Sequence, residues 1–152
     1  YIDIPLTILR ISQVFGPRNL SNQVIPMFIK KSLKNESINV VDNICKDFIY
    51  VEDVVESIIT SILKNKNKVF NIGTGKKISI NKIANTILEL TGSKKEIRII
   101  KKEKEFDSII KINKAQSELN FSPKILLEDG LKREIEWHIK YNNNEKFRKL
   151  SE

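Results

Sequence analysis

Several residue types that support covalent or metal chemistry are scarce in this chain. One cysteine, Cys45, and one histidine, His138, occur in 152 residues, so an internal disulfide is excluded. No cluster of His, Cys or carboxylates has metal-ligand spacing. Cys45 sits in a polar turn and reads as incidental, and His138 reads as a surface or partly packed residue of the last helix. Five glycines and four prolines punctuate the chain, without internal repeats and with no low-complexity tract beyond the asparagines of the tail. No apolar run approaches the roughly 20 residues that span a bilayer. A signal-peptide pattern is also missing, which places the chain in the cytoplasm and off the membrane.

What is present is an ordinary globular composition, 40% hydrophobic and 30% charged, in a length that suits one domain with a real core. The formal net charge of +8 would attract nucleic acid, an acidic surface or a small anion. The lysines are spread along the chain without interleaved aromatics. That distribution argues for solvated faces against a polynucleotide groove.

Strands and helices alternate, which predicts an α/β fold. Leu6 to Ile11 is an unbroken apolar run of the kind buried in a parallel sheet, and such a strand needs partners. Val14 to Asn19 reads as the loop at its carboxyl end, where open α/β sheets bind ligands. Helix is expected from Gln23 to Lys34, strand from Ile38 to Val41, and an extended piece from Lys46 to Tyr50. In the following helix, Val51, Val54, Val55, Ile58, Ile59, Ile62 and Leu63 form a stripe that reads as core. Val69 to Gly73 is strand-like. Ser79 is a suitable N-cap for a helix with Ile80, Ile83, Ala84, Ile87 and Leu88 inward and its end at Thr91-Gly92. Strand Ile97 to Ile100, a short helix from Asn113 with a capping-box-like Gln116, and a last helix from Leu127 to Asn142 complete the pattern. The last helix is expected to turn Leu127, Leu131, Ile135 and Ile139 inward. Residues 1–142 form the domain and 143–152 a polar tail.

The stretch Phe70 to Lys77 contains Gly73-Thr74-Gly75, which invites comparison with nucleotide-binding loops. The dinucleotide fingerprint needs a third glycine where Ile78 stands, and the phosphate loop needs glycine where Phe70 stands and Ser or Thr where Lys77 stands. The stretch therefore reads as a strand-to-helix turn and not as a phosphate cradle.

Taken in order, LTILRISQVFGPRN, NQVIPMFIKKSL, INVVDN, KDFIYVEDVVESI, VFNIGTGKKISI, KEFD and KAQSELNFSP with LEDGL resemble the carboxyl-terminal half of the NAD-dependent epimerase/dehydratase family. These are the extended short-chain dehydrogenases of the UDP-glucose 4-epimerase type. The resemblance implies part of a Rossmann-type sheet with a small substrate-binding α/β subdomain. It further implies that the glycine-rich NAD loop and the catalytic Tyr-x-x-x-Lys pair precede Tyr1. Tyr1, Tyr50 and Tyr141 have no lysine four residues later, so no catalytic residue is assigned in this chain.

By the same resemblance, Ser12 lies against the nicotinamide of NAD and Gln13 against the substrate. Gln23 and Val24 offer a polar group and an amide to a nucleotide diphosphate, and Asn39, Val40 and Val41 line the base. Lys46 and Phe48 stand in the family's R-D-[FY] string, Ile80 is an apolar contact to the nucleotide, and Lys104 and Asp107 stand at the Arg and Asp of R-x-G-D, which bind the diphosphate and the ribose hydroxyls respectively. Lysines replace both diphosphate arginines, keeping the charge without the bidentate fork. The implied function is the substrate-binding half of an NAD-dependent nucleotide-sugar epimerase or dehydratase. There hydride passes from a sugar carbon to NAD, and the keto-sugar is re-reduced or dehydrated. The alternative is a non-catalytic, truncated or split sugar-nucleotide-binding module that needs a partner chain. A homo-oligomer or a complementing N-terminal domain is the expected partner.

Overall fold

The computed structural model describes residues 5–19, 22–64, 66–101 and 106–142. The elements are β1 (Ile8–Ile11), β2 (Gln13–Phe15), α1 (Val24–Leu33), β3 (Ile38–Val41), β4 (Cys45–Lys46), β5 (Phe48–Tyr50), α2 (Val51–Lys64), β6 (Val69–Ile72), β7 (Ile78–Ser79), α3 (Ile80–Thr91), β8 (Ile97–Ile100), α4 (Asn113–Leu119) and α5 (Leu127–Asn142). The expected α/β class holds. The strands pair two by two: β1 with β6, β2 with β5 and β3 with β8 run parallel, and β4 with β7 antiparallel. Val14 and Phe15, expected in a loop, instead belong to β2, because Gln13 to Phe15 pair in register with Phe48 to Tyr50. The loop proper begins at Gly16. The extended piece 46–50 is interrupted at Asp47, whose side chain turns inward.

The larger core gathers side chains from α1, β3, α3 and α5, including Phe28, Ile29, Ile38, Ile83, Ile87 and Leu131. The inward face expected for α3 is buried in full. Its ends behave as their residues require: the Ser79 hydroxyl accepts from the Lys82 amide at 3.1 Å, and Gly92 closes the helix in the left-handed region at φ 68°. The capping-box-like pairing expected for α4 does not form. Its N-cap position is Ile112, with no side-chain cap bond, and the Gln116 amide donates instead to the Ile112 carbonyl.

Helix α2 reverses the expected stripe. Only Val54 of that stripe is buried; Val55, Ile58, Ile59, Ile62 and Leu63 are exposed, Leu63 by 81%. The inward face carries Asp53, Val54, Ser57 and Ser61. Burial of these polar groups is tolerated because each has partners. The Ser57 and Ser61 hydroxyls donate to the carbonyls of Val54 and Ile58 three residues back, and the Asp53 carboxylate accepts the amides of Lys124 and Ile125. A second, smaller core (Ile49, Val54, Phe70, Ile72, Ala115, Leu119 and Phe121) lies beneath this helix.

Helix α5 has the expected bounds, but its inner stripe is not wholly apolar. Leu131 and Ile135 are buried, Ile139 is 53% exposed, and Glu134 and His138 are buried beside them. His138 is therefore interior, contrary to its reading as a surface or partly packed residue. A spacing of four residues places it on the same helix face as Glu134. His138 Nε2 lies 4.0 Å from Glu134 Oε1, beyond hydrogen-bond reach, and among the described residues neither Glu134 oxygen nor that nitrogen has a hydrogen-bond partner. Burial pushes the Glu134 carboxyl up to about 8, against a smaller downward pull from the backbone at Gly16. Burial, followed by the Lys30 charge, lowers His138 to about 4.

Two outcomes follow for α5. A Cβ added at Gly130 would lie 2.7 Å from the Phe15 ring and 2.8 Å from the Tyr50 ring, so the helix docks only through a residue without a side chain. Gly130→Ala gains roughly 1 kcal/mol of helix propensity but overpacks by about 1–3 kcal/mol. A melting temperature lowered by a few degrees is expected in a thermal melt.

The second outcome concerns pH. Glu134 holds a proton in the folded chain up to about 8 against an ordinary value of 4.5, so stability falls as pH rises through that window. His138 resists protonation down to about 4 against an ordinary 6.5, so stability falls as pH drops below 6.5. The two slopes offset each other at mildly acidic pH. They leave a net loss of roughly 2 kcal/mol between about pH 6.5 and pH 8. In urea titrations, Glu134→Gln should hold the midpoint level over that interval while keeping the decline below it.

Candidate functional site

The candidate site is built around a buried carboxylate. Asp47 is fully buried and accepts from the Thr74 and Gly75 amides at 2.9 Å and from the Thr74 hydroxyl. Its own backbone joins two neighbours, donating to the Ser108 carbonyl at 2.9 Å and accepting from the Gln13 amide at 3.1 Å. A Cβ on Gly73 would fall 2.7 Å from Asp47 Oδ2, so the glycine makes room for this carboxylate. The turn does not fit a pyrophosphate. Two of its amides are committed to Asp47 and the space above Gly73 is filled, in agreement with its reading as a turn.

On one side of this anchor a cavity of about 150 Å³ is lined by Val24, Met27, Phe28, Asn39, Val41, Ile44, Lys46 and Ile80. Five of the residues singled out from the sequence thus meet there, from α1, β3, β4 and α3. Strand alternation explains the pattern on β3. Asn39 and Val41 face the cavity, while Val40, 1% exposed, turns into the core and leaves only its backbone on that strand. Gln13, Gln23, Val24 and Phe48 line an adjoining crevice, so Val24 belongs to both. Gln23 is the N-cap residue of α1, whose first turn holds no acidic side chain and thus suits an anion electrostatically. Ser12 lies between β1 and β2, apart from both hollows, and its buried hydroxyl has no hydrogen-bond partner among the described residues.

At the mouth, Lys46 Nζ donates to the Phe106 carbonyl at 3.1 Å. Asp107 lies close by. Its Oδ1 accepts the Cys45 amide at 2.8 Å and its Oδ2 forms a 2.7 Å ion pair with Lys77 Nζ. The hydrogen bond from Lys77 is the main cause of the lowered Asp107 value, and Asp107 in turn raises Lys77. Lys104 falls outside the described residues. Met27 and Phe28 were not foreseen, although they stand three and four residues after Val24 and so share its helix face. Lys77 had no such local signal, because it reaches Asp107 only through the two-residue ladder of β4 with β7. Among the described residues, no group of three or more His, Cys, Asp or Glu side chains could hold a metal. No helix there is long and apolar enough to cross a membrane.

This arrangement has recognisable relatives. Residues 1–73 match the model of the NAD dependent epimerase/dehydratase family. A putative UDP-glucose 4-epimerase of Methanocaldococcus jannaschii is 38% identical over 148 residues, covering 92% of this chain and 47% of the relative. A UDP-glucuronate 4-epimerase of Thermodesulfobacterium geofontis is 30% identical, covering 88% and 43%. Among solved structures, the UDP-glucose 4-epimerase of Thermotoga maritima with UDP-glucose superposes with a TM-score of 0.83 at 33% identity, over 90% of this chain and 47% of that one. The UDP-glucuronic acid 4-epimerase of Bacillus cereus, in complex with UDP-glucuronic acid and NAD, gives 0.81 at 26%, over 90% and 46%. The chain is a relative of the NAD-dependent epimerases and dehydratases, with the α/β architecture of their Rossmann-type structures. It spans about half the length of the curated relatives it matches.

Proposed function

We propose that this chain is the substrate-binding part of an NAD-dependent nucleotide-sugar epimerase or dehydratase of the UDP-glucose 4-epimerase type, and that its cavity takes the nucleotide diphosphate. The observation that carries the reading is the convergence of Val24, Asn39, Val41, Lys46 and Ile80 on one hollow. Apolar walls from Val24, Val41 and Ile80 suit the face of a base, Asn39 can both donate and accept at its edge, and Lys46 brings a cation to the phosphates. NAD supplies the redox chemistry when it is bound. The role of the described residues is to hold and orient the substrate, with Ser12 as the one contact assigned to the nicotinamide.

A second reading is a binding module that has no turnover of its own and needs a partner. The exposed apolar stripe of α2, with Ile8 and Ile11 of β1 also open to solvent, favours it, since contiguous apolar surface of this kind marks an interaction face. The occupant would be a complementing N-terminal domain or a second copy. On either reading, the chain on its own should not convert UDP-glucose.

Isothermal titration with UDP should give saturable binding to the chain. Lys46→Ala should weaken it by about tenfold or more, the worth of a charge-assisted hydrogen bond; an unchanged constant would remove Lys46 from the site. Light scattering should find the isolated chain self-associated, and a monodisperse monomer would count against the need for a partner.

A further inference from the structure

Another cavity, of about 300 Å³, opens between α3 and the segment that leads into α5. It shares no lining residue with the hollow of about 150 Å³ that contains Asn39 and Lys46. Its walls are largely apolar: the buried rings of Phe15 and Phe48, with Ile78, Ile125 and Leu127. The two threonines in the lining have no proton left for a ligand. The Thr74 hydroxyl donates to Asp47 and accepts the Lys76 amide at 3.2 Å, and the Thr86 hydroxyl donates to the Lys82 carbonyl at 3.0 Å. The donors that remain are the ammonium groups of Lys76 and Lys82, neither of which has an ion-pair partner among the described residues. Glu128 is the one carboxylate in the lining, and Lys132 Nζ lies 3.5 Å from its Oε1. Two positive charges against one negative leave the lining with a net charge that matches a monoanion.

We infer that this cavity is a ligand site separate from the nucleotide cavity, and that it takes a small carboxylic acid with a flat apolar body. A concave, mostly apolar hollow with a few polar groups at its edge is the usual form of a small-molecule site, and this one stands at the lower end of their sizes. The rings of Phe15 and Phe48 offer the body aromatic neighbours. Lys76 belongs to the turn before β7 and Lys82 to the first turn of α3, so the carboxylate is met from two segments of the chain. The lining holds no Asn or Gln to read the edge of a base, which separates this site in kind from the cavity at Asn39. A neutral molecule of the same shape keeps the apolar contacts and forgoes both lysines, and a cation is repelled by them.

The test compares 2-naphthoate with its neutral isostere 2-naphthamide on the full chain by titration calorimetry, with circular dichroism to verify folding. The acid should bind saturably at one equivalent and the amide more weakly. Replacing both lysines, Lys76→Ala with Lys82→Ala, should raise the 2-naphthoate dissociation constant about five- to tenfold, what two exposed charge contacts supply together, and leave the amide unchanged. Thr86→Trp, which fills the cavity from α3, should abolish binding of both. Absence of saturable 2-naphthoate binding would overturn the inference. So would equal affinity for acid and amide with no effect of the lysines, the behaviour of the open apolar stripe on α2. A loss of 2-naphthoate binding in Lys46→Ala would place the acid in the nucleotide cavity and overturn it too.

Discussion

The carboxylate of Asp47 holds the candidate site together. A charge with no exposure to water is costly unless its lone pairs are filled, and here two amides and a hydroxyl from the Thr74-Gly75 turn fill them. The consequence runs in both directions along the chain. Because Asp47 must point inward, strand pairing breaks between β4 and β5, and its neighbours are set apart, Lys46 at the cavity and Phe48 at the adjoining crevice. Because the turn's amides serve Asp47, they are withdrawn from any ligand. The lack of a side chain at Gly73 thus has a packing cause, although the surrounding letters resemble a phosphate loop.

Where the sequence was legible, the reason is local. Helix α3 could be read in full because its cap, its stripe and its glycine stop are all short-range features, and each agrees with the others. The bounds of β3 and α5 follow from the same agreement. Helix α2 could be bounded but not oriented. Periodicity gives the apolar face of a helix and says nothing of what lies against it, and here the face with the isoleucines looks outward while Ser57 and Ser61 pack inward. Small side chains that bond to their own helix carbonyls can be buried at little cost, so the polar face was available for packing. Glu134 and His138 were missed for a related reason: charged letters at interior positions of α5 look like surface letters until the neighbouring helix is in place.

The candidate site divides along the same line. Val24, Asn39, Val41, Lys46 and Ile80 were assigned through resemblance and meet at one cavity, and Met27 and Phe28 could have been added from helical spacing. Lys77 could not. Its approach to Asp107 crosses thirty residues of sequence through a ladder only two residues long, and no pattern of single letters announces a ladder that short. Lys76 and Lys77 look alike as a charge pair, and only the pleat and register tell them apart.

The two cores differ in how far they close on themselves. The larger one, under the cavity, draws on α1, β3, α3 and α5 and buries Phe28, Ile29, Ile83 and Ile87 almost completely. The smaller one lies beneath α2, whose outer stripe is open to solvent, as are Ile8 and Ile11 of β1. A parallel pair such as β1 with β6 is ordinarily covered on both faces, so this side of the molecule has the larger unmet demand for burial. Local opening is therefore expected to begin there, where fewer apolar contacts oppose it. The cavity's walls belong to the larger core, so its shape does not depend on the outer stripe of α2, and the ligand binding and the partner binding proposed above are separable.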